Sequence, residues 1–315
     1  MDRVAVFNPA VRTLDESVAR AKAAERLGFE SVWTTQMPDA RDASLVLAAY
    51  ASHTQRVKLG TGVLPIYTRH PTAMAQMAAS LDELSGGRFI LGLGVSHKVT
   101  VEGMWGLRLE NPVDAMREYL TIVRTTLRDG GCGFEGRYFT GRVAYSGPRR
   151  ADLPIMISAL NPRMLQLAGE LADGIVLYMC TPAYVRDHVV PAIRAGREKV
   201  GKTLDGFDIV AAVPVSLTSD RAAAHDVFRK TVARYAALPY YRKMMDASGL
   251  KEALEQDRVD ERVLDELAGV GDPERVRDAV ARYRESGVTL PAVGPFGGHE
   301  GAQGFEATLE AVAAS

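Results

Sequence analysis

The sequence predicts an α/β protein and, within that class, a (β/α)8 TIM barrel. Short apolar runs alternate with helix-periodic stretches along the chain, as in a parallel sheet with crossover helices. Runs such as residues 209–215 are almost continuously apolar, which is typical of strands buried on both faces. The length of 315 residues favours closure into a barrel over an open doubly wound sheet.

Eight strands are predicted in order, and helical sequence separates each from the next. The strands are expected at residues 3–7, 31–34, 57–64, 88–93, 154–158, 174–178, 207–217 and 288–293. Helices are expected at about residues 14–27, 43–52, 72–84 and 304–314. Two further helices are expected to begin near Pro112 and after Asp272-Pro273, because proline is tolerated in the first helical turn.

Three segments interrupt this alternation. Residues 95–111 delay the helix after the fourth strand, and the glycine- and aromatic-rich residues 130–150 predict an inserted loop or hairpin. Residues 219–270 have a helical pattern and predict an insertion after the seventh strand. We therefore expect residues 1–315 to form a single barrel domain that carries these insertions.

Composition argues against several classes of function. Lys plus Arg total 38 and Asp plus Glu total 39, with no long basic run, which argues against a nucleic-acid partner. No apolar run reaches the roughly 18 residues of a membrane span, and the amino terminus lacks a signal-peptide pattern, so a cytoplasmic protein is expected. Cys132 and Cys180 are the two cysteines, and the six histidines offer no ligand-spaced pair, so no metal site is predicted.

The segment from Lys58 to Pro65 is the first candidate for a ligand site. Gly60 and Gly62 lie in an apolar run, and glycine inside a strand usually marks a bulge or the close approach of a ligand. Pro65 prevents the strand ladder from continuing. The pattern suits a flat cofactor pressed against backbone, and a tight strand-to-helix turn that binds nothing is the alternative.

Other candidates follow the predicted strands, because active sites of such barrels lie at the carboxyl ends of the strands. His97 follows the fourth strand, where the alternative is a hydrogen-bonded loop histidine. Asn161 precedes Pro162 and is the predicted N-cap of a helix. The free amides at that helix end could hold a phosphate, and an ordinary capped helix is the alternative. The further candidates at strand ends are Asn8, Thr35, Gln36, Gly62, Val63, Leu64, Ser96, Ala159, Tyr178 and Gly294.

Taken together, the segments resemble the luciferase-like monooxygenase superfamily of flavin and deazaflavin oxidoreductases. The resemblance is strongest to the branch that uses coenzyme F420, including the methylenetetrahydromethanopterin reductases. It rests on residues 57–63, 81–94, 167–175 and 287–295. It implies an F420-dependent oxidoreductase, forming a homodimer, that transfers a hydride between the deazaflavin and a small organic substrate.

The resemblance also implies which residues hold the cofactor. Relatives carry a non-prolyl cis peptide in the bulge of the third strand, where it backs the deazaflavin ring, and this bond maps onto Gly62 and Val63. The family's phosphate loop maps onto the end of the fifth strand, and the end of the sixth strand would flank the cofactor tail. The implied cofactor-binding residues are Gly62, Val63, Leu64, Ser158, Ala159, Leu160, Asn161 and Tyr178.

Two departures from the relatives' pattern bear on catalysis. Thr35-Gln36 stands where relatives often carry Asp-His, and His97 stands where they carry an acid. An amide cannot take up a proton at neutral pH, so Gln36 is predicted to hydrogen-bond the substrate or the ring. His97 is predicted to act as the general acid or base. Val6 replaces an acid of the methanopterin reductases, which argues against a pterin substrate.

The predicted walls of the substrate pocket are Trp33, Met37, Met104 and Trp105, for which plain packing is the alternative role. Two other functions stay open on the sequence. One is an FMN-dependent monooxygenase that uses oxygen, with FMN in place of F420. The other is a barrel that binds cofactor without turnover.

Overall fold

The computed structural model describes residues 2–8, 13–297 and 301–313. In chain order its strands are β1 (Ala5–Phe7), β2 (Ser31–Thr34), β3 (Lys58–Thr61), β4 (Leu64–Pro65), β5 (Phe89–Gly94), β6 (Gly131–Glu135), β7 (Thr140–Ala144), β8 (Ile155–Ile157), β9 (Gly174–Leu177), β10 (Asp208–Leu217), β11 (Gly269–Gly271) and β12 (Leu290–Pro295). Eight of them pair in parallel in the order β1-β2-β3-β5-β8-β9-β10-β12, and β12 pairs with β1. This last pairing closes the barrel, which confirms the predicted TIM-barrel class.

The helices surround the barrel and follow its strands. They are α1 (Leu14–Arg26), α2 (Ala43–His53), α3 (Pro71–Leu84), α4 (Pro112–Asp129), α5 (Pro162–Leu171), α6 (Pro182–Tyr184), α7 (Val190–Lys199), α8 (Arg221–Ala236), α9 (Pro239–Ala247), α10 (Glu261–Leu267), α11 (Pro273–Glu285) and α12 (Gly301–Ala313). α4 and α11 begin at Pro112 and Pro273, as predicted. Among the described residues, no helix has both the length and the apolar character required to cross a membrane.

Each predicted interruption of the barrel contains its own elements. Residues 95–111 include a π-helical turn at Val99–Met104. The segment after α4 forms the antiparallel hairpin β6–β7. The helical insertion after β10 contains α8, α9, a 3-10 turn at Glu252–Asp257, and α10. The three-residue strand β11 was not predicted, because it is too short and too rich in glycine to give an apolar run. It pairs in parallel with the end of β10.

The core has two layers, set by the alternation of side chains along each strand. In β1, Ala5 and Phe7 face the interior of the barrel, whereas Val6 packs in the layer between the barrel and its helices. Trp33 fills the interior beside Gly60, where a Cβ atom would lie 2.4 Å from the Trp33 ring. Apolar side chains fill the interior of the barrel.

Candidate active site

A cavity of about 630 Å³ opens at the carboxyl ends of the barrel strands. Six of its lining residues follow the second, third and fourth barrel strands, namely Thr35, Gln36, Gly62, Val63, Ser96 and His97. Another six follow the fifth, sixth and eighth, namely Ser158, Ala159, Leu160, Asn161, Tyr178 and Gly294. The structure therefore brings together ten candidates that the sequence placed at strand ends, along with Ser158 and Leu160, which the family resemblance implied.

The third-strand bulge presents bare backbone to this cavity. The peptide bond between Gly62 and Val63 is cis, as the family resemblance implies. The Gly62 amide donates to the Thr34 carbonyl oxygen at 2.8 Å. The Thr61 hydroxyl accepts from the Gly92 amide at 2.7 Å and donates to the Gly92 carbonyl oxygen at 2.8 Å. These bonds fix the bulge to both neighbouring strands, so its position at the cavity is well defined.

The loop after β8 ends in a helix terminus at the same cavity. Asn161 is the N-cap of α5, since its side-chain oxygen accepts from the Met164 amide at 3.0 Å. Within the described part of the chain, the backbone amides of Ala159, Leu160 and Asn161 have no hydrogen-bond acceptor. Free amides at a helix amino terminus, where the helix dipole is positive, are the donors that bind phosphate in many proteins.

His97 lies at the mouth of β5, half-buried in the cavity wall. The chain turns sharply just before it, where Ser96 has a left-handed φ of 60°. The His97 carbonyl oxygen accepts from the Thr100 and Val101 amides at 2.9 and 2.8 Å. Its ring nitrogens make no hydrogen bond to any described residue. Burial lowers the pKa of His97 below its ordinary value, so the imidazole is neutral at pH 7.

Gln36 lines the cavity, but part of its side chain is already engaged. Its Oε1 accepts from the Ala43 amide at 2.9 Å, at the start of α2. Its Nε2 donates to the Met37 carbonyl oxygen across a longer 3.3 Å. The amide nitrogen carries two hydrogens, so toward a ligand Gln36 can act chiefly as a donor.

Four of the predicted positions fall outside the cavity lining, and one of them, Asn8, is fully buried and donates from Nδ2 to the Tyr50 hydroxyl at 2.7 Å. Trp33 was wrongly predicted as a pocket wall: it is fully buried in the barrel interior, and its indole nitrogen donates to the Ser31 hydroxyl at 2.9 Å. Met104 was also wrongly placed there. It lies on the exposed side of its π-helical turn, where it is 64% exposed, and it does not line the cavity. Leu64 packs between the barrel and the helices, because the alternation along β4 turns it outward. Met37 and Trp105 do line the cavity.

The helical insertion contributes a wall that the sequence reasoning missed. Residues Val227, Phe228, Thr231, Arg234 and Tyr235 of α8 line the cavity. Their spacing of i, i+1, i+4, i+7 and i+8 is one face of an α-helix. That periodicity was readable in the sequence, but nothing in it showed that this face turns toward the barrel mouth.

Tyr240 and Tyr241, at the start of α9, complete this wall. Few charged side chains line the cavity. They are those of Arg234 and Asp39. Among the described residues, no group of three or more His, Cys, Asp or Glu side chains could hold a metal ion. The arrangement therefore favours a largely apolar organic ligand held by backbone donors and tyrosine hydroxyls.

The fold and this cavity define a TIM-barrel protein with a backbone-lined ligand site at its carboxyl end. A family model described as luciferase-like monooxygenase matches residues 3–290. The chain therefore belongs to the luciferase-like monooxygenase family.

Several relatives in this family have a more specific described function. The chain is 33% identical over 297 residues to the 5,10-methylenetetrahydromethanopterin reductase of Archaeoglobus fulgidus, with 88% of each chain covered. The structure of the coenzyme F420 dependent tetrahydromethanopterin reductase of Methanopyrus kandleri matches with a TM-score of 0.85 and 28% identity, covering 99% of this chain and 98% of that one. An F420-dependent secondary alcohol dehydrogenase, solved with an F420-acetone adduct, shares the fold with a TM-score of 0.82 and 20% identity over 99% of each chain.

Proposed function

We propose that this protein is an F420-dependent oxidoreductase that transfers a hydride between the deazaflavin and a small organic substrate. The observation that carries the proposal is that one cavity brings together the bare backbone at Gly62 and the free amides of Ala159, Leu160 and Asn161. The structural likeness to the coenzyme F420 dependent tetrahydromethanopterin reductase of Methanopyrus kandleri, which covers 99% of this chain at 28% identity, supports the same cofactor.

The residues present fit such a cofactor. A flat ring can lie against Gly62 and Val63, since no side chain projects from the glycine. A phosphate can accept from the free amides of Ala159, Leu160 and Asn161, where the dipole of α5 favours negative charge. Tyr178, at the end of β9, lines the same cavity and can flank the cofactor. When bound, the deazaflavin supplies the hydride chemistry, and the protein orients it and excludes water.

His97 and Gln36 are the residues that we assign to the reaction. Neutral His97 has two ring nitrogens without a protein partner, so it can accept or pass a proton at the cavity wall. Gln36 can donate one hydrogen bond to the substrate or the ring, because its oxygen already accepts from the Ala43 amide. Met37 and Trp105 then contribute apolar wall on the substrate side.

The organisation of the protein is part of the proposal. A single barrel domain, a homodimer and a cytoplasmic location all follow from the sequence and the family resemblance, and they stay predictions. Light scattering on the purified protein tests the homodimer directly, because a dimer has twice the 34.1 kDa of one chain.

A fluorescence titration with F420 and, separately, with FMN tests the cofactor assignment. We expect tighter binding of F420 than of FMN. Equal or tighter binding of FMN, or purification as a yellow flavoprotein, would favour the oxygen-dependent monooxygenase. Reduced F420 that binds but is never oxidised by any of a panel of acceptors would favour a barrel that binds cofactor without turnover.

A further inference from the structure

Three tyrosines and His97 form a cluster in the wall of the cavity. The rings of Tyr178 and Tyr235 lie 5.1 Å apart, centroid to centroid, and those of Tyr235 and Tyr241 lie 4.9 Å apart. The His97 ring lies 5.7 Å from Tyr241 and 6.5 Å from Tyr235. Tyr235 comes from α8 and Tyr241 from α9, so the helical insertion supplies the two rings that contact His97.

The hydroxyl of Tyr241 lacks a hydrogen-bond partner in the described part of the chain. Tyr241 is only 7% exposed, and buried polar groups nearly always make a hydrogen bond in a finished site. Burial raises the pKa of Tyr241 well above its ordinary value, so the hydroxyl keeps its proton. Tyr241 is therefore a cavity-lining residue whose hydroxyl is a donor without a partner among the described residues.

Tyr235 has a different environment, because Arg234 is beside it. Burial raises the pKa of Tyr235, whereas the positive charge of Arg234 acts in the opposite direction. The guanidinium lies 5.4 Å from the centre of the Tyr235 ring. Arg234 makes no ion pair with any described acid, so its charge is available to stabilise negative charge on the Tyr235 oxygen.

We infer that the hydroxyls of Tyr235 and Tyr241 bind the oxygen of a carbonyl substrate, and that Tyr235 gives this oxygen its proton. The substrate class is then an aldehyde, a ketone or an α,β-unsaturated carbonyl compound with an apolar body. Aromatic wall residues suit such a body, since Phe228 and Phe296 stack at 4.8 Å in the same cavity. This inference rests on the proposed F420-dependent function.

The chemical step balances with groups already named. The substrate carbon receives a hydride, with its electron pair, from the reduced deazaflavin, and a new C–H bond forms. The π electrons of the carbonyl move to its oxygen, which takes the proton of the Tyr235 hydroxyl. The phenolate that remains is stabilised by Arg234 and regains its proton by way of His97, whose ring lies 6.5 Å from that of Tyr235 and which is reprotonated by water. A simple carbonyl becomes an alcohol, whereas a conjugated carbonyl becomes an enol that tautomerises in water to the saturated carbonyl compound. In both cases the deazaflavin is oxidised.

Binding of para-nitrophenolate tests the oxygen site without a known substrate, because this planar probe carries a negative oxygen and changes its absorbance when bound. It is titrated into the protein with and without saturating F420. The variants are Tyr235→Phe and Tyr241→Phe, which remove one hydroxyl each and keep the ring. Tyr145→Phe is the matched control, since its hydroxyl donates to the Pro148 carbonyl oxygen outside the cavity lining.

We expect each cavity variant to bind the probe about tenfold more weakly or worse, the usual effect of losing a hydrogen bond to a charged group. The dissociation constant of F420 should stay within about twofold. Probe binding that is absent in the wild type, or unchanged in both variants, overturns the inference. Loss of F420 affinity with unchanged probe binding also overturns it, because the hydroxyls would then serve the cofactor.

Arg234→Gln tests the positioning role of the guanidinium. We expect it to weaken probe binding in the wild type but to have little further effect in Tyr235→Phe, because Arg234 acts through the Tyr235 oxygen. Equal effects in both backgrounds would contradict this coupling. The measurements without F420 keep the inference separate from the cofactor assignment, since failure of the wild type to bind F420 would defeat only the proposed function.

Discussion

The ring of His97 lies 5.7 Å from the ring of Tyr241, centroid to centroid, and the two planes are inclined by 56°. One residue follows the fourth strand of the barrel, and the other opens the second helix of the insertion. Because these rings are in contact, the insertion forms part of the wall of the cavity at the carboxyl end of the barrel. The contact also places the proposed proton-transfer residue against the helices that would meet the substrate.

His97→Ala is expected to lower kcat by about 10²-fold, the usual contribution of a general acid or base. KM should change much less, because proton transfer is not a binding interaction. His97→Phe should give the same loss, since it keeps a ring against Tyr241 and removes both nitrogens. Steady-state kinetics with a substrate found by screening provide the measurement.

The control for this prediction is His53→Ala, an exposed histidine on α2. It should leave kcat unchanged. If His97→Ala keeps a near-normal kcat across the pH profile, His97 is only a loop residue and the proton comes from elsewhere.

Gly62→Val should abolish detectable F420 binding while leaving the barrel folded. A Cβ atom at Gly62 would lie 2.6 Å from the Phe7 ring, which lines the same cavity. The Phe7 ring must move, and the added side chain occupies the surface proposed to back the cofactor. F420 fluorescence titration measures the affinity, and far-ultraviolet circular dichroism reports the fold.

Gly133→Val is the matched control, because a Cβ atom there meets no atom within 4 Å. It should bind F420 as the wild type does. Unimpaired F420 binding by Gly62→Val would show that the ring lies elsewhere in the cavity.

Asn161→Asp should separate helix capping from phosphate binding. Aspartate caps a helix as well as asparagine does, so the midpoint of thermal unfolding should stay unchanged. Its negative charge would oppose a phosphate at the same helix end, so F420 affinity should fall several-fold. Asn161→Ala should instead cost about 1 kcal/mol of stability, because it removes the bond from the Met164 amide.

Thermal unfolding gives the midpoint, and fluorescence titration of the same samples gives the F420 affinity. Retained F420 affinity in Asn161→Asp would argue against a phosphate at this loop.

Glu30→Gln should reduce stability at neutral pH, and the difference from wild type should disappear in acid. Hydrogen bonding to Arg3 lowers the pKa of Glu30 to about 2, against an ordinary 4.5, and Lys58 contributes in the same direction. A lowered carboxyl pKa adds stability above pH 4.5 that is lost as pH falls toward about 2. The contribution at pH 7 should be about 1–2 kcal/mol after allowance for solvent screening.

Urea unfolding at several pH values measures this contribution. Glu135→Gln is the control, because the pair of Glu135 and Arg142 on the hairpin is largely exposed to solvent, with side chains 74% and 71% exposed. Its effect should be less than about 0.5 kcal/mol. A Glu30→Gln difference that is the same at all pH values would refute the link to ionisation.

The sequence by itself determined the barrel and the end at which its site lies. Apolar runs separated by helical sequence require a parallel sheet, and the carboxyl ends of parallel strands meet at one edge. Gly62, His97 and Asn161 were therefore placed together although they are distant in the chain. The N-cap at Asn161 was also predictable, because it depends on residues within one helical turn.

Only the tertiary structure decided which of these residues reach the cavity. Alternation along a strand tells which side chains face inward, but not their height in the barrel. Trp33 therefore proved to be interior core at the level of Gly60, below the cavity. Tyr235 and Tyr241 were equally undetermined, because a helix face in an insertion gains its neighbours only through docking against distant strands. Local sequence specifies the face, and long-range packing selects what that face meets.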